Sequence, residues 1–500
     1  MVAFVYSPAA KRLPPIRPYR AMNEAHLRFI LGLKLKTLRQ ARNLPLREVA
    51  ARARLSVSYL SEIEKGKKYP KPDKLLTLAD ALGVPFDELV SVQVSEPLNP
   101  LKTIINSTFV QEFPFELFGV EPQELFGLVS DEPTKAGALF RTFAEIVQMY
   151  DVQVEHVLFA ALRSYQHLHA NYFEDLEREA AAFRAARAWP ADAPLREAML
   201  RAYLEEAYGY EIDTTTLPAH PVLRTFRSVY ADRTPPRLYL NGNLLPSQRA
   251  FVLAREIGFR HLGLSERPVT SSWIKAESFT QVLNNYRASY FAGALFIDPA
   301  ALEEDLAAIF DRPTWQAAPL QAALQRHNVT PEMFFYRLAE LLPKRYGLRE
   351  WYFLRFSNAV GSEEYRLTKV FNMSSVPIPY GIKPVEGYCR RWPAKKVLRA
   401  LAVRQQAGGA SEPMISVDRT HFTDVDAEFL VLSIARPLAL TPHTNSCVSM
   451  GFLLDDRLRD TVRFWDDPAI PRTALPLTQE RNRQAAKEQA LAELLGTGAG

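Results

Sequence analysis

Cysteine is nearly absent from this chain of 500 residues, in which Cys389 and Cys447 are the two that occur. Two cysteines cannot build a disulfide framework, and they suit a reducing compartment. No apolar run approaches the roughly 18 residues needed to span a bilayer, and residues 1–20 lack the continuous apolar core of a signal peptide. These absences exclude a disulfide-rich secreted domain and predict a cytoplasmic protein with no membrane partner.

Positive charge is concentrated at the amino end of the chain. Residues 1–90 hold 17 Lys and Arg against 8 Asp and Glu, a net charge of +9. The whole chain carries +5, so the other 410 residues carry −4. Local basicity of this kind is the electrostatic signature of a nucleic-acid-binding region.

The segment 55–66 has the pattern of a recognition helix. Ser56 is a suitable N-cap, Leu60 and Ile63 share one buried face, and Gly66 ends the helix. Upstream, a turn of about three residues joins this segment to a second short helix. Four further helices complete a predicted five-helix bundle: Ile30–Arg42, Leu46–Ala53, Pro72–Leu82 and Phe86–Val90.

This arrangement resembles the Cro and phage-repressor (XRE) class of helix-turn-helix DNA-binding domains over residues 26–92. The resemblance implies a buried ion pair between Arg39 and Glu64. Arg54 stands where the family usually has a glycine in the turn, so a non-glycine residue at positive φ is expected there.

On this interpretation the recognition helix lies in the major groove of double-stranded DNA. Four outward residues would contact base edges: Val57, Ser58, Tyr59 and Glu62. Four flanking cations would contact phosphates: Arg47, Lys65, Lys67 and Lys68. A solvated surface is the alternative explanation of these cations. Such modules usually bind two half-sites, which predicts a homodimer.

A second informative region spans residues 236–265. Arg237–Leu240 predicts a strand and Pro246–Leu264 a helix, with a turn between them. This order resembles the ImmA/IrrE-type zinc peptidase domain. In that family the helix carries His-Glu-x-x-His, whose histidines bind zinc and whose glutamate activates water.

The resemblance places Arg255 and Phe259 at the two histidine positions, Glu256 at the glutamate, and Arg287 at the third ligand. Arginine side chains at two of the three ligand positions, Arg255 and Arg287, would repel Zn²⁺. The sequence therefore predicts a degenerate zincin-like domain with no metal and no enzyme activity. It also predicts that Glu256 pairs with Arg255 or Arg287, and that His261 points away from the former ligand face.

Alternating apolar residues predict a mixed α+β domain at the carboxy end, with strands at Trp351–Phe356, Tyr365–Val370 and Phe429–Ala435. The overall order of segments resembles the short-chain fatty acyl-CoA regulator group that includes PrpR and RamB. Some members of that group hold an iron-sulfur cluster. Two cysteines cannot supply about four thiolates, so no cofactor is expected.

The same resemblance implies an acyl-CoA effector. The Cys-x-x-Trp motif at Cys389–Trp392 is flanked by cations that suit its phosphates. The candidate effector-binding residues are Arg390, Arg391, Trp392, Lys395 and Lys396. A basic helix face is the commoner explanation of such a cluster.

The predicted fold is multi-domain, mainly α with α+β. Its segments are a basic arm (1–22), the helix-turn-helix bundle (23–92), a helical linker or dimerisation region (93–190), the degenerate peptidase-like domain (191–345) and the carboxy-terminal α+β domain (346–500). The linker helices are predicted at Ala138–Tyr150, Glu155–Asn171 and Phe173–Trp189. They either pair two subunits or form the core of one. The predicted function is a dimeric transcriptional regulator; an active metallopeptidase that cleaves a partner repressor and a protein-interaction scaffold are the alternatives.

Overall fold

The computed structural model describes residues 24–90, 154–190, 193–270, 278–378, 391–409 and 412–477. The chain divides into two compact units at residue 161. Residues 24–90 form the head, and the described residues from 162 onward form the body.

The head is a bundle of five helices: α1 (Glu24–Ala41), α2 (Leu46–Arg52), α3 (Val57–Glu64), α4 (Pro72–Leu82) and α5 (Phe86–Val90). Its core is formed by fully buried leucines, isoleucine and alanines from all five, including Leu35, Leu60, Ile63, Leu78 and Leu89. The five predicted helices are thus confirmed. The first begins six residues earlier than predicted, at Glu24.

The body begins within α6 (Val154–Leu168) and continues through α7 (Glu174–Ala186), α8 (Glu197–Tyr208) and the short α9 (Thr216–Ala219). The helices predicted at Glu155–Asn171 and Phe173–Trp189 correspond to α6 and α7, while Ala138–Tyr150 lies outside the described residues. Ala180 and Phe183 of α7 are buried in the main core of the body. This helix therefore contributes to the core of one protomer, the second of the two roles considered for it.

A small three-stranded sheet follows, with strands β1 (Glu211–Asp213), β2 (Ser228–Ala231) and β3 (Arg237–Leu240) in the order β1-β3-β2. β1 runs parallel and β2 antiparallel to β3. The next two helices are α10 (Pro246–His261) and α11 (Phe279–Phe296). The predicted strand and helix are both present. The helix ends at His261, shortly before Gly263, whose φ of +63° does not continue an α-helix.

Three more helices, α12 (Pro299–Phe310), α13 (Ala317–Arg326) and α14 (Pro331–Arg345), precede the second sheet. Its strands are β4 (Trp351–Ala359), β5 (Tyr365–Asn372), β6 (Met414–Phe422), β7 (Ala427–Pro437), β8 (Thr444–Leu453) and β9 (Arg472–Leu475), with α15 (Pro393–Gln406) between β5 and β6 and α16 (Asp456–Thr461) before β9. The order across the sheet is β5-β4-β8-β7-β6-β9.

The six-stranded sheet is covered on both faces. Phe353 and Met450 face the helical core of the body, whereas Leu354 and Cys447, on the same two strands, face the core that includes α15. The three strands predicted from alternation are β4, β5 and β7. The sequence pattern does not predict the central strand β8, because its buried positions include the polar Asn445, Ser446 and Ser449. Among the described residues, no helix combines the length and the apolar character that crossing a bilayer requires.

Candidate nucleic-acid interface

The helix α3 has one face fixed by the core of the head and one face open to solvent. Ser56 caps its first turn, with the Ser56 Oγ accepting a hydrogen bond from the Tyr59 amide at 3.1 Å. Leu60 and Ile63 are completely buried on the inner face. Because side chains three apart lie on one side of a helix, this anchoring fixes which residues point outward.

An ion pair ties α1 to the end of α3. The Arg39 guanidinium donates to Glu64 from Nε at 2.7 Å and from Nη2 at 2.9 Å, and its Nη1 donates to the Leu44 carbonyl at 3.1 Å. The hydrogen bonds to Glu64 raise the pKa of Arg39. The pair implied by the resemblance is therefore formed, and it also holds the loop after α1.

Two backbone features set the angles of the module. Arg54 adopts a φ of +54°, as expected for the residue at the usual glycine position, and Gly66 adopts +70° after α3. Gly32 on α1 has a further role that the sequence pattern did not reveal. A Cβ on Gly32 would lie 2.4 Å from the Ile63 carbonyl oxygen, so glycine is needed for the close approach of α1 and α3.

The predicted base-contacting residues occupy the open face of α3. Val57 is 41% exposed. Ser58 is exposed, and Tyr59 and Glu62 are half-buried. The predicted phosphate-contacting residues Arg47, Lys65, Lys67 and Lys68 are all exposed around this face.

Lys68 is already engaged within the head. Its Nζ lies 2.8 Å from the Glu62 carboxylate and 5.6 Å from the centroid of the Tyr59 ring. The hydrogen bond to Lys68 lowers the pKa of Glu62 and correspondingly raises the pKa of Lys68. A predicted phosphate contact and a predicted base contact therefore form one pair, which was not expected from the sequence.

The residues at the peptidase-like positions lie on two helices of the body and do not form a common site. Arg255, Glu256 and Phe259 are buried on α10. Arg287, on α11, instead pairs with Asp175 of α7 at 3.3 Å. Among the described residues, no group of three or more His, Cys, Asp or Glu side chains is placed to hold a metal ion.

The prediction that Glu256 pairs with Arg255 or Arg287 is wrong. Glu256 accepts a hydrogen bond from Arg267 Nη2 at 2.6 Å, and the Tyr210 hydroxyl lies 3.4 Å from its other oxygen. Arg255 is adjacent to Glu256 in the helix, and successive side chains point about 100° apart, so its Nη2 reaches Ser228 Oγ at 3.4 Å instead.

The Arg267 guanidinium fills the space beside Glu256. Its Cζ lies 3.9 Å from the Tyr230 ring centroid and 4.0 Å from the Phe259 ring centroid, so the cation is held between two aromatic faces. Burial, together with the charge of Glu256, raises the pKa of Tyr210 to about 12. His261 contacts α7, with its Nε2 lying 3.2 Å from the Glu179 carboxylate.

The candidate effector residues do not form one exposed surface. Arg390 lies outside the described residues, and Arg391 is exposed. Trp392 is 1% exposed, its Nε1 donating to the Leu477 carbonyl at 3.3 Å and its ring packing on Phe422. The indole completes an apolar core, which corrects the prediction that it lines a ligand site.

The two lysines of this cluster also point into the body. Lys395 is buried, with its Nζ 5.1 Å from the centroid of the Tyr365 ring. Lys396 donates to Asp418 at 2.8 Å and also to Thr473. Their charges are thus directed to different partners on the sheet, because consecutive residues of α15 face different directions.

Comparison with known proteins places the head in a defined class. A family model described as helix-turn-helix matches residues 35–89. The HTH-type transcriptional regulator DdrOP3 of Deinococcus deserti is 39% identical over 57 residues, which cover 11% of this chain and 44% of that protein. The transcriptional regulator ClgR of Mycobacterium tuberculosis is 41% identical over 62 residues, covering 12% and 55%. The chain thus spans about half the length of these curated relatives.

A shorter relative is matched over most of its length. The uncharacterized HTH-type transcriptional regulator y4dJ of Sinorhizobium fredii is 40% identical over 65 residues, which cover 13% of this chain and 84% of that protein. The chain belongs to the HTH-type transcriptional regulators, and its helix-turn-helix is of the XRE type.

Two solved structures resemble larger parts of the chain. The match to a Mycobacterium tuberculosis transcriptional regulator covers 63% of this chain and 88% of that chain, with a TM-score of 0.43 and 17% identity. ComR from S. thermophilus, solved with DNA and its signalling peptide ComS, covers 62% and 99%, with a TM-score of 0.12 and 16% identity. At these TM-scores neither likeness assigns a fold or a function to the body.

Proposed function

We propose that this protein is a sequence-specific DNA-binding regulator whose helix α3 enters the major groove. The observation that carries this proposal is the two-sided character of α3. Its inner face is fixed by Leu60, Ile63 and the hydrogen bonds that Arg39 donates to Glu64, while Val57 and Ser58 are open to solvent. A rigid helix with an exposed amino-terminal end is what reading of base edges requires.

Within this proposal, different residues make the base contacts and the phosphate contacts. Val57, Ser58, Tyr59 and Glu62 read base edges, and Arg47, Lys65, Lys67 and Lys68 contact phosphates. The pair of Lys68 with Glu62 compensates the carboxylate on a face that must approach a polyanion. Double-stranded DNA is thus the macromolecular partner.

The protein acts as a homodimer in this proposal. A single α3 presents about one turn of exposed helix, which reads few base pairs. Two copies that bind half-sites one duplex turn apart double the contact area and the number of neutralised phosphates. The operator is therefore expected to have an approximate two-fold repeat.

We also propose that the body carries no peptidase chemistry. We keep as a hypothesis that α10 and the strand before it derive from the ImmA/IrrE fold. The residues at the former ligand positions support this proposal, because each has another partner. Arg255 is buried against Ser228, Phe259 stacks on Arg267, and Arg287 pairs with Asp175. Glu256 is engaged by a cation and is not free to activate a water.

A small effector that binds the body is the last element of the proposal. Such a ligand changes DNA binding only if it prefers one of two states of the protein. An acyl-CoA thioester is the effector that the resemblance to the PrpR and RamB group implies, and calorimetric titration of an acyl-CoA into the purified protein tests it.

The DNA-binding proposal is tested by selecting bound sequences from a random duplex pool and titrating the protein onto the enriched sequence at several salt concentrations. We expect an enriched two-fold repeat and an affinity whose logarithm falls linearly with the logarithm of salt concentration. Equal affinity for enriched and random duplexes, or the absence of any salt dependence, would favour a protein-interaction scaffold instead.

A further inference from the structure

A concentration of positive charge lies on one face of the six-stranded sheet. Lys369 of β5 is directly opposite Arg355 of β4, and Arg436 of β7 is directly opposite Ser446 of β8. The Arg355 Nε donates to Ser446 Oγ at 3.1 Å. Since Arg355 is opposite Val448, and residues two apart on a strand share a face, the three cations point to the same side of the sheet.

Among the described residues, one carboxylate faces this group. Glu332 lies in the first turn of α14. Its carboxylate is 2.6 Å from Lys369 Nζ and 3.4 Å from Arg355 Nη1. Burial alone would raise the pKa of Glu332, but Lys369, Arg355 and Arg227 together lower it well below its usual range. A fourth cation, Arg227 just before β2, is therefore within electrostatic reach of the same carboxylate.

The positive charge continues toward α10. Arg255 is 9% exposed, its Nε has no hydrogen-bond partner, and its Nη2 is 3.4 Å from the hydroxyl of Ser228, the residue after Arg227. Arg255 is also repelled by Arg227. The nearby Glu256 cannot neutralise it fully, because that carboxylate is already bonded to Arg267.

The charges in this region do not balance. Five cations define what we call the cation cluster: Arg227, Arg255, Arg355, Lys369 and Arg436. Burial lowers the pKa of Arg255 and of Arg436 to about 10, which leaves both charged at neutral pH. Within the described part of the chain, the side chains of Arg227 and Arg436 form no hydrogen bond or ion pair.

We propose that the cation cluster is a binding site for a small oxyanion with two or more negative charges, of the phosphate or pyrophosphate type. Planar guanidinium groups match the oxygens of phosphate in pairs. An anion that neutralises cations repelling one another binds more favourably where these cations are partly shielded from water. A DNA duplex cannot reach Arg255 at this depth. The site is therefore independent of the proposed role of α3.

The proposal is tested by measuring the melting temperature (Tm) of the full chain with sodium pyrophosphate and with sodium chloride at equal ionic strength. We expect pyrophosphate to raise Tm by about 3 °C or more at saturation, because a ligand that binds only the native state stabilises it. Calorimetric titration of pyrophosphate into the same protein measures its affinity and stoichiometry.

Two variants on separate elements make the result specific. In Arg227→Gln and Arg436→Gln, the Tm without pyrophosphate is expected to equal or exceed that of the unchanged protein, since a repelling cation is lost, while the response to pyrophosphate falls by at least half. Arg399→Gln, an exposed residue of α15 at the opposite face of the sheet, and Lys67→Gln in the head serve as controls and should keep the full response.

Three results would overturn the proposal. The first is that pyrophosphate does not stabilise the unchanged protein more than chloride. The second is an undiminished response in both cluster variants, which would place the ion elsewhere. The third is a large loss of Tm without pyrophosphate in both variants, which would show that the cations stabilise the fold by themselves.

Discussion

The ion pair between Arg39 and Glu64 fixes the position of α3 through two hydrogen bonds. The Arg39 side chain is 15% exposed and the Glu64 side chain 7% exposed. Replacing Arg39 by methionine leaves the Glu64 carboxylate in a poorly solvated position. We expect a loss of about 2 kcal/mol in the free energy of unfolding of the head. Urea denaturation followed by a fluorophore attached to the head measures this loss.

The matched control for this change is Arg52→Met. Arg52 pairs with Glu48 on the surface, with side chains that are 50% and 42% exposed, and such pairs contribute well under 1 kcal/mol. Losses of equal size in the two variants would contradict the structural role assigned to Arg39.

Gly32 is the second residue whose identity decides the geometry of the head. In Gly32→Ala, the new Cβ meets the Ile63 carbonyl at 2.4 Å, and that backbone atom cannot move without moving α3. Overpacking of this kind costs about 1 to 3 kcal/mol. Amide hydrogen exchange in α3 should therefore accelerate by about tenfold or more, and an unchanged exchange rate would show that α1 and α3 can separate freely.

At the scale of elements, helices α7, α11 and α14 meet at a buried charge cluster. Arg337 donates to both oxygens of Glu177, at 2.5 and 2.7 Å, and to Glu340 at 3.0 Å, and the Tyr290 hydroxyl donates to Glu177 at 2.7 Å. Two carboxylates thus share one arginine. Burial raises the pKa of Glu340 to about 8, although Arg337 opposes this effect.

The raised pKa of Glu340 gives the body a pH-dependent stability. The folded state binds the Glu340 proton more tightly than the unfolded state does, so this contribution is fully present below the unfolded pKa near 4.5 and is lost as the pH rises toward 8. Tm measured from pH 5 to pH 8 should fall, and Glu340→Gln should flatten the curve. Glu303→Gln, at a surface pair with Arg345, is the control and should keep the slope.

The elements differ in how far the sequence predicts them. The helices of the head are predictable because capping by Ser56 and local apolar spacing define them. The strand β8 is not, since its pairing with β4 and β7 buries serines that carry no local signal. The Arg267 partner of Glu256 is missed for a related reason: a contact between a helix and a following loop has no signature in spacing.

At the scale of the whole molecule, the proposed function requires two copies of α3 on one operator. A second copy does not follow from the described contacts of one chain, and it is predicted from the size of the exposed helix. Light scattering after size exclusion should give twice the chain mass of 56.7 kDa at micromolar concentration. A mass equal to a single chain, both alone and with the selected duplex, would contradict the dimer.

Reading of bases by α3 is the central claim, and the most direct measurement compares two variants on two duplexes. Tyr59→Ala is expected to lose about 1 to 3 kcal/mol, or about 5- to 150-fold, in affinity for the selected operator, with little loss on random duplex. Lys67→Ala should instead weaken binding to both duplexes by the same factor, because a phosphate contact carries no sequence information. Equal losses on operator and random duplex for Tyr59→Ala would contradict base reading by this helix.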